Sequence, residues 1–329
     1  SEAMVSMVSK LRPMSDADKR DWLVNERIND RGVMVDIEMA TLAAKYAEQE
    51  KDELGVRLSK LTEGAVNKVT QTARLLNILK VEFKGRKKLM ACITKAKKDI
   101  HEVAKFTLDK AARGQLLECK ELKGNMREVI DLIDQGGNSS VAKFTSMLNR
   151  ADPETGRVHG AFIFAGAGQT QRYSSKGLQM HNMRRKCWDA EQAEEIKSLM
   201  LKKASITEYT GLSVMDTLAR LLRPTIIPAK DHQFVVGDWS AIEARVLPWL
   251  SDSEGGEKAL DIFRNGIDVY IETAKSLGLG KNDRQTGKVA NLSLGFGGAV
   301  GAFQAMAKNY DLELDDGFVL GVVQTWRDA

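Results

Sequence analysis

One run constrains this chain more than any other: Phe234-Val235-Val236-Gly237-Asp238-Trp239-Ser240-Ala241-Ile242-Glu243-Ala244-Arg245. Three apolar residues stop at a glycine and an acid, and a helical pattern starts almost at once. That order predicts a buried strand over 234–236 turning directly into a helix. An acid at the last strand position leaves the core where the backbone turns, a rigid mount for a Mg2+ ligand. The same pattern fits an ordinary strand-turn-helix in which Asp238 only caps the helix. Glu243 lies five residues on, one turn into that helix.

Composition sets the outer limits. A chain of 329 residues, 43% hydrophobic and 29% charged with five prolines, has the make-up of a globular protein with room for two or three domains. Disordered, fibrous and staple-dependent classes are excluded. Cys92, Cys119 and Cys187 are odd in number and lack metal-ligand spacing, which argues against disulfides and structural zinc and for a reducing compartment. No stretch has the roughly 18 uninterrupted apolar residues of a membrane helix, and the first residues lack a secretory pattern. A cytoplasmic protein with no membrane partner is expected. Residues 1–10 read as a tag or disordered terminus.

From Asp36, a plausible N-cap, Met39, Leu42, Ala43, Tyr46, Leu54, Leu58 and Leu61 recur at threes and fours, predicting a long amphipathic helix. A second helical pattern runs through Leu75, Leu76, Ile78 and Leu79 into a basic segment, so that two antiparallel helices with a basic tip account for 30–100. Residues 80–98 hold eight basic residues, Lys84, Arg86, Lys87 and Lys88 among them, against the single acid Glu82, in a chain whose total is +4. Such a cluster suits a polyanion, or is simply a solvated face. A further helix is expected from Met126 to Leu148, broken at Gly136-Gly137 and recapped by Asn138, Ser139 or Ser140. The turn-rich Asp152-Pro153-Glu154-Thr155-Gly156 precedes a strand-like stretch from Arg157 to Phe164, which places a domain boundary near 150.

The second motif is Asp283 to Gly298. On a helix Arg284, Lys288, Leu292 and Phe296 form one stripe rising about 18 Å. Two cations, an aliphatic and an aromatic in that order suit a nucleoside triphosphate laid along the helix, phosphates toward Arg284 and Lys288, sugar and base toward Leu292 and Phe296. An ordinary helix with Leu292 and Phe296 in the core and solvated cations fits equally.

Together these segments resemble the A family of DNA polymerases, the DNA polymerase I-like enzymes, and most closely its phage-type branch. The run from Asp238 to Arg245 resembles motif A, and Arg284, Lys288 and Phe296-Gly297 match the spacing of motif B. Gly156-Arg157-Val158-His159, Thr170-Gln171-Arg172-Tyr173-Ser174-Ser175 and Gln179-Met180-His181-Asn182 resemble the primer-template contact segment, and Ile28 to Asp36 the start of the thumb. The resemblance implies an α/β, mostly helical right-hand polymerase fragment: a helical thumb over 11–150, a partial palm over 151–254 and the first part of the fingers over 255–329. It implies template-directed addition of deoxynucleoside triphosphates to a primer 3′ end with two Mg2+ ions. Asp238 and the Trp239 carbonyl would bind metal, and Glu243 would crowd a ribose 2′-hydroxyl. Arg284 and Lys288 would hold the triphosphate, Lys288 also serving as acid for the leaving pyrophosphate. Leu292 would lie near the sugar, Phe296 near the nascent pair and Tyr270 at a position often held by a phosphate-binding histidine. Arg172, Gln179, His181 and Asn182 would touch primer-template DNA, and the basic tip would grip phosphates.

The sequence departs from the family in one major respect. The His-Asp-Glu hairpin that supplies the second metal carboxylate is not found, so the expectation is a fragment inactive alone, with an incomplete two-metal site, completed by a C-terminal polymerase fragment. Two other readings stay open: a catalytically dead nucleic-acid-binding protein, and one half of a split polymerase. Phe296 stands where many relatives have Tyr and cannot donate a hydrogen bond to Glu243. His159 and His232 are expected to be structural.

Overall fold

The computed structural model describes residues 13–95, 105–310 and 312–328, except the side chain of Lys281. The expected terminal tag at 1–10 and two members of the basic segment, Lys97 and Lys98, lie outside the described residues. Contacts divide the chain into two compact units, Ser1–Phe234 and Val235–Ala329.

In the first unit Ser15 caps helix α1 (Asp16–Arg31), and strand β1 (Val33–Met34) follows. The Asp36 carboxylate then accepts the Met39 N–H at 2.9 Å and opens α2 (Ile37–Leu61), as its sequence predicts. At 1.5 Å per residue α2 is about 37 Å long, enough to serve two cores. Its first half gives Met39, Ala40, Ala43 and Ala47 to one, and its second half gives Leu54 and Leu58 to the other.

The second of these cores closes with α3 (Thr72–Glu82), α4 (Lys87–Cys92), α5 (Lys110–Glu118) and α6 (Gly124–Gly136), which bury Leu75, Leu79, Leu89, Leu116, Ile130 and Ile133. The helix expected over 126–148 is two helices, α6 and α7 (Ala142–Arg150), joined by a 3-10 turn at Ser139–Val141. No side chain recaps the chain there; Ser140 Oγ instead donates to Asn138 Oδ1 at 2.6 Å.

The first core does not divide at residue 150. Val141, Phe144 and Met147 pack in one cluster with Val158, Leu178, Met183 and the apolar faces of α8 (Ala190–Leu201), α9 (Ile206–Thr210) and α10 (Val214–Leu221). The strand expected over 157–164 is two short pieces. β2 (Arg157–Val158) pairs antiparallel with β1, and β3 (Phe162–Ile163) pairs antiparallel with β4 (Ser174–Ser175). Gly160, at φ +63°, turns the chain between β2 and β3.

The strand expected at 234–236 does not form. Phe234, Val235 and Val236 belong to no regular element and are 57%, 92% and 89% exposed. A strand is held by hydrogen bonds to a neighbour, and among the described residues nothing pairs with this segment. The β component is therefore the two short ladders, in an otherwise helical chain.

The second unit holds α11 (Ile242–Ser251), α12 (Glu254–Arg264), α13 (Val269–Ser276), α14 (Arg284–Leu294), α15 (Val300–Lys308) and α16 (Asp316–Asp328). Val289, Ala290, Leu294, Phe303, Ala307, Val319 and Val323 form its core. Asp315 caps α16 through the Gly317 and Phe318 N–H groups, the capping role its sequence context suggests. Among the described residues no helix is long and apolar enough to cross a membrane.

Candidate nucleotide and nucleic-acid sites

The nucleotide candidates lie in the second unit, along and beside α14. The helix buries Thr286, Gly287, Val289, Ala290, Ser293 and Leu294. Arg284, Lys288 and Leu292 lie partly exposed on its open side, and Phe296, in the turn beyond the helix, is 69% exposed. Leu292 and Phe296 are not core residues.

A single acid orients this face. Asp268 Oδ1 accepts the Tyr270 and Ile271 N–H groups and so starts α13, while Asp268 Oδ2 accepts Arg284 Nε at 2.7 Å. Burial pushes the Asp268 carboxyl up, but the Arg284 hydrogen bond and the two backbone donors outweigh it and hold the group below its usual range. The Arg284 guanidinium lies 5.2 Å from the Tyr270 ring centre, and the Lys288 ammonium lies 5.7 Å from the same ring and 4.7 Å from Tyr310. Burial raises the Tyr270 phenol, with Tyr310 adding to the rise and Arg284 opposing it; Asp268 and Glu243 raise it further. Tyr270 thus takes its place beside both cations. Asp268 and Tyr310 are absent from the sequence-based site. An acid two residues before Tyr270 at a helix start was a readable signal for the first; Tyr310 is brought in only by the packing of α15 and the turn after it.

The motif around Asp238 is looser. Asp238 and Trp239 are exposed, and the N-cap of α11, Ala241, is in the left-handed region at φ +49° and makes no side-chain cap. Asp238 therefore does not cap the helix. Arg245 fixes the turn by donating from Nε to the Ser240 carbonyl at 2.9 Å and by lying 4.1 Å from the Phe263 ring centre. Glu243 is half-buried in the first turn of α11. Among the described residues no three His, Cys, Asp or Glu side chains come together as a metal cage. The Asp238 carboxylate and the Trp239 carbonyl are oxygen donors of the kind Mg2+ takes.

The nucleic-acid candidates lie in the first unit. Lys143 Nζ donates to the Leu178 carbonyl and to Gln179 Oε1, each at 3.1 Å, and Gln179 takes a left-handed φ of +47°. A 3-10 turn, Met180–Asn182, then presents His181 and Asn182 to solvent while Met183 is buried. The His181 N–H donates to Ser175 Oγ on β4, and its ring meets Phe162 of β3 edge-on at 6.0 Å. Arg172, also exposed, lies two residues before β4. Gln179, His181 and Asn182 thus share one turn braced against the hairpin whose connection carries Arg172. Arg184 is engaged with Asp216 at 2.6 Å. His159 Nδ1 meets the Asp30 carbonyl at 2.9 Å and His232 Nδ1 the Lys230 carbonyl at 2.7 Å, contacts that fit the structural roles expected of both.

At the basic tip, Phe83 and Leu89 are fully buried and residues 84–88 between them are exposed, so the turn holds its cations outward. Arg86 faces Glu82 at 3.6 Å and Lys88 pairs with Glu121 at 3.0 Å, whereas Lys84 and Lys87 have no ion pair among the described residues.

No family model matches the chain. It is 30% identical over 336 residues to the DNA polymerase of Bacillus phage SP02, a match covering 99% of this chain and 47% of that protein. The chain is family A DNA polymerase-like. DNA polymerase I of Lactococcus lactis subsp. lactis is 34% identical over 85 residues, covering 24% of this chain and 9% of that protein. The polymerase domain of Pol1 from M. smegmatis, solved in complex with DNA primer-template and dNTP, has the same fold over 91% of this chain and 46% of that one, at a TM-score of 0.51 and 18% identity. The polymerase-like chain thus spans about half the length of the phage relative and of the mycobacterial domain.

Proposed function

We propose that this chain carries the nucleotide-holding and primer-template-holding parts of a DNA polymerase that adds deoxynucleoside triphosphates to a primer 3′ end. The observation that carries the reading is the division of α14 into a packed face and an open one bearing Arg284, Lys288 and Leu292, with Phe296 exposed beyond it. Phosphoryl transfer needs positioning and charge neutralisation more than a complex nucleophile, and this face supplies both. Arg284 and Lys288 hold the triphosphate, with Lys288 placed to protonate the departing pyrophosphate; Leu292 and Phe296 receive sugar and base. Glu243 guards the ribose 2′ position. Bound Mg2+ would neutralise phosphate charge, with Asp238 and the Trp239 carbonyl offering it oxygens. Arg172, Gln179, His181 and Asn182 touch the primer-template, and Lys84, Arg86, Lys87 and Lys88 its phosphates. A second metal carboxylate, which is not among the residues placed in this site, completes the reaction.

The test is binding of a fluorescent primer-template at two salt concentrations, with and without the next correct dNTP and Mg2+, followed by gel analysis of extension. The expected result is salt-sensitive binding tightened by the correct dNTP, with extension appearing only when a C-terminal polymerase piece is added. Binding with no response to dNTP would leave a nucleic-acid-binding protein without chemistry, and no binding would overturn the reading. Robust extension by the chain alone would refute the need for that further carboxylate.

A further inference from the structure

Arg284 and Lys288 stand four residues apart on α14, where like charges repel. The two cations are compensated in different ways. Arg284 is paired with Asp268, a carboxylate itself fixed by two backbone N–H groups of α13. Lys288 has no ion pair among the described residues, and its ammonium lies against two aromatic rings, Tyr310 at 4.7 Å and Tyr270 at 5.7 Å. An aromatic face attracts a cation without cancelling its charge and without taking up its N–H donors as a carboxylate would. The Tyr310 ring is itself held in place. Its side chain packs half-buried on the core of the second unit, and the backbone N–H of Tyr310 donates to the Ala307 carbonyl at 2.9 Å.

We propose that Tyr310 is a positioning residue of the nucleotide site, acting with Tyr270 to hold the Lys288 ammonium, without a carboxylate partner, toward the triphosphate. Asp268 does the matching work for Arg284, so that one cation is neutralised and aimed while the other keeps its charge for the ligand. This rests on the nucleotide-binding reading of α14.

Two readouts on the full chain separate the inference from that reading. In the first, lysines are reductively 13C-methylated and the Lys288 signal is assigned from Lys288→Arg. Stacking on two rings shifts that signal upfield without any ligand; Tyr310→Leu moves it back toward the other lysines, and Tyr310→Phe leaves it in place. In the second, dTTP with Mg2+ is titrated calorimetrically into unmodified protein. Tyr310→Leu, which keeps an apolar side chain but removes the ring, weakens binding about two- to fivefold, the size of one cation–π contact, and Tyr310→Phe restores it. An unshifted Lys288 signal in the wild type, or equal nucleotide affinity in Tyr310→Leu and wild type, overturns the role of Tyr310. A wild type that shows the shifted signal but does not bind dTTP overturns the nucleotide reading instead, and the role proposed for Tyr310 falls with it.

Discussion

Gly287 lies flat against the carbonyl of Tyr270: a Cβ there would stand 2.1 Å from that oxygen and 2.9 Å from the Ala274 nitrogen. Both close atoms are backbone, so no side-chain rotation can relieve the clash. The missing side chain lets α13 and α14 meet at backbone distance, and that approach puts the Tyr270 ring beside Arg284 and Lys288.

Gly287→Ala is therefore expected to destabilise the second unit by about 1–3 kcal/mol, the usual cost of forced overpacking. It should weaken dNTP binding as well, although the new methyl points away from the open face. Urea denaturation followed by tryptophan fluorescence checks the first effect, and an unchanged midpoint would show that the helices part freely.

Asp268 gives the second unit an acid-sensitive contact. Its folded-state pKa lies below the unfolded value, so its contribution is complete above the unfolded pKa and is lost as pH falls through the folded one. Asp268→Asn should flatten the fall in unfolding midpoint between about pH 5 and pH 2. A variant with the same acid slope as the wild type would show that the Arg284 contact does not contribute to folding.

Lys197 ties α8 to the start of α2. Its ammonium lies 2.9 Å from both Asp36 and Glu38 and is largely buried. Burial lowers its pKa, but hydrogen bonds and charge from the two carboxylates outweigh that and leave it above the ordinary lysine value. The stabilisation is thus complete below the unfolded pKa and is lost as pH rises through the folded one. Lys197→Met should cost about 1–3 kcal/mol at neutral pH, and the difference from wild type should shrink at strongly alkaline pH. A constant difference across that range would separate Lys197 from its carboxylates.

The basic tip makes a prediction about salt. Each cation that neutralises a phosphate contributes about 0.9 to the slope of log affinity against log salt. Lys84→Gln with Lys87→Gln removes two cations that have no ion pair among the described residues. The primer-template slope should fall by about 1.8. Arg86→Gln with Lys88→Gln should lower it less, because those cations must first leave Glu82 and Glu121. Equal slopes in all three proteins would place the DNA elsewhere.

Helix positions were legible wherever the signal was local. The Asp36 cap, the apolar repeat after it and the glycine break at 136–137 all mark real boundaries, because capping and burial act within a few residues. The stripe from Arg284 to Leu292 was legible too, but not which side of α14 faces its neighbours. That depends on Gly287, whose role becomes visible only once Tyr270 stands against it. Phe234-Val235-Val236 carries a strand pattern, yet a strand is made by its neighbour, and none of the described residues fills that place. Tyr310 was invisible for a related reason: its partner Lys288 is distant in sequence.

The length of α2 has a consequence for how the first unit comes apart. One rod carries the apolar contacts of two cores, Met39 to Ala47 for one and Leu54 and Leu58 for the other. Melting either core frays the helix on which the other is built, and helix fraying propagates readily from turn to turn. The basic tip and the His181 turn therefore share one fate on denaturation, and the described residues of the first unit should lose structure in a single cooperative step rather than as two foldons.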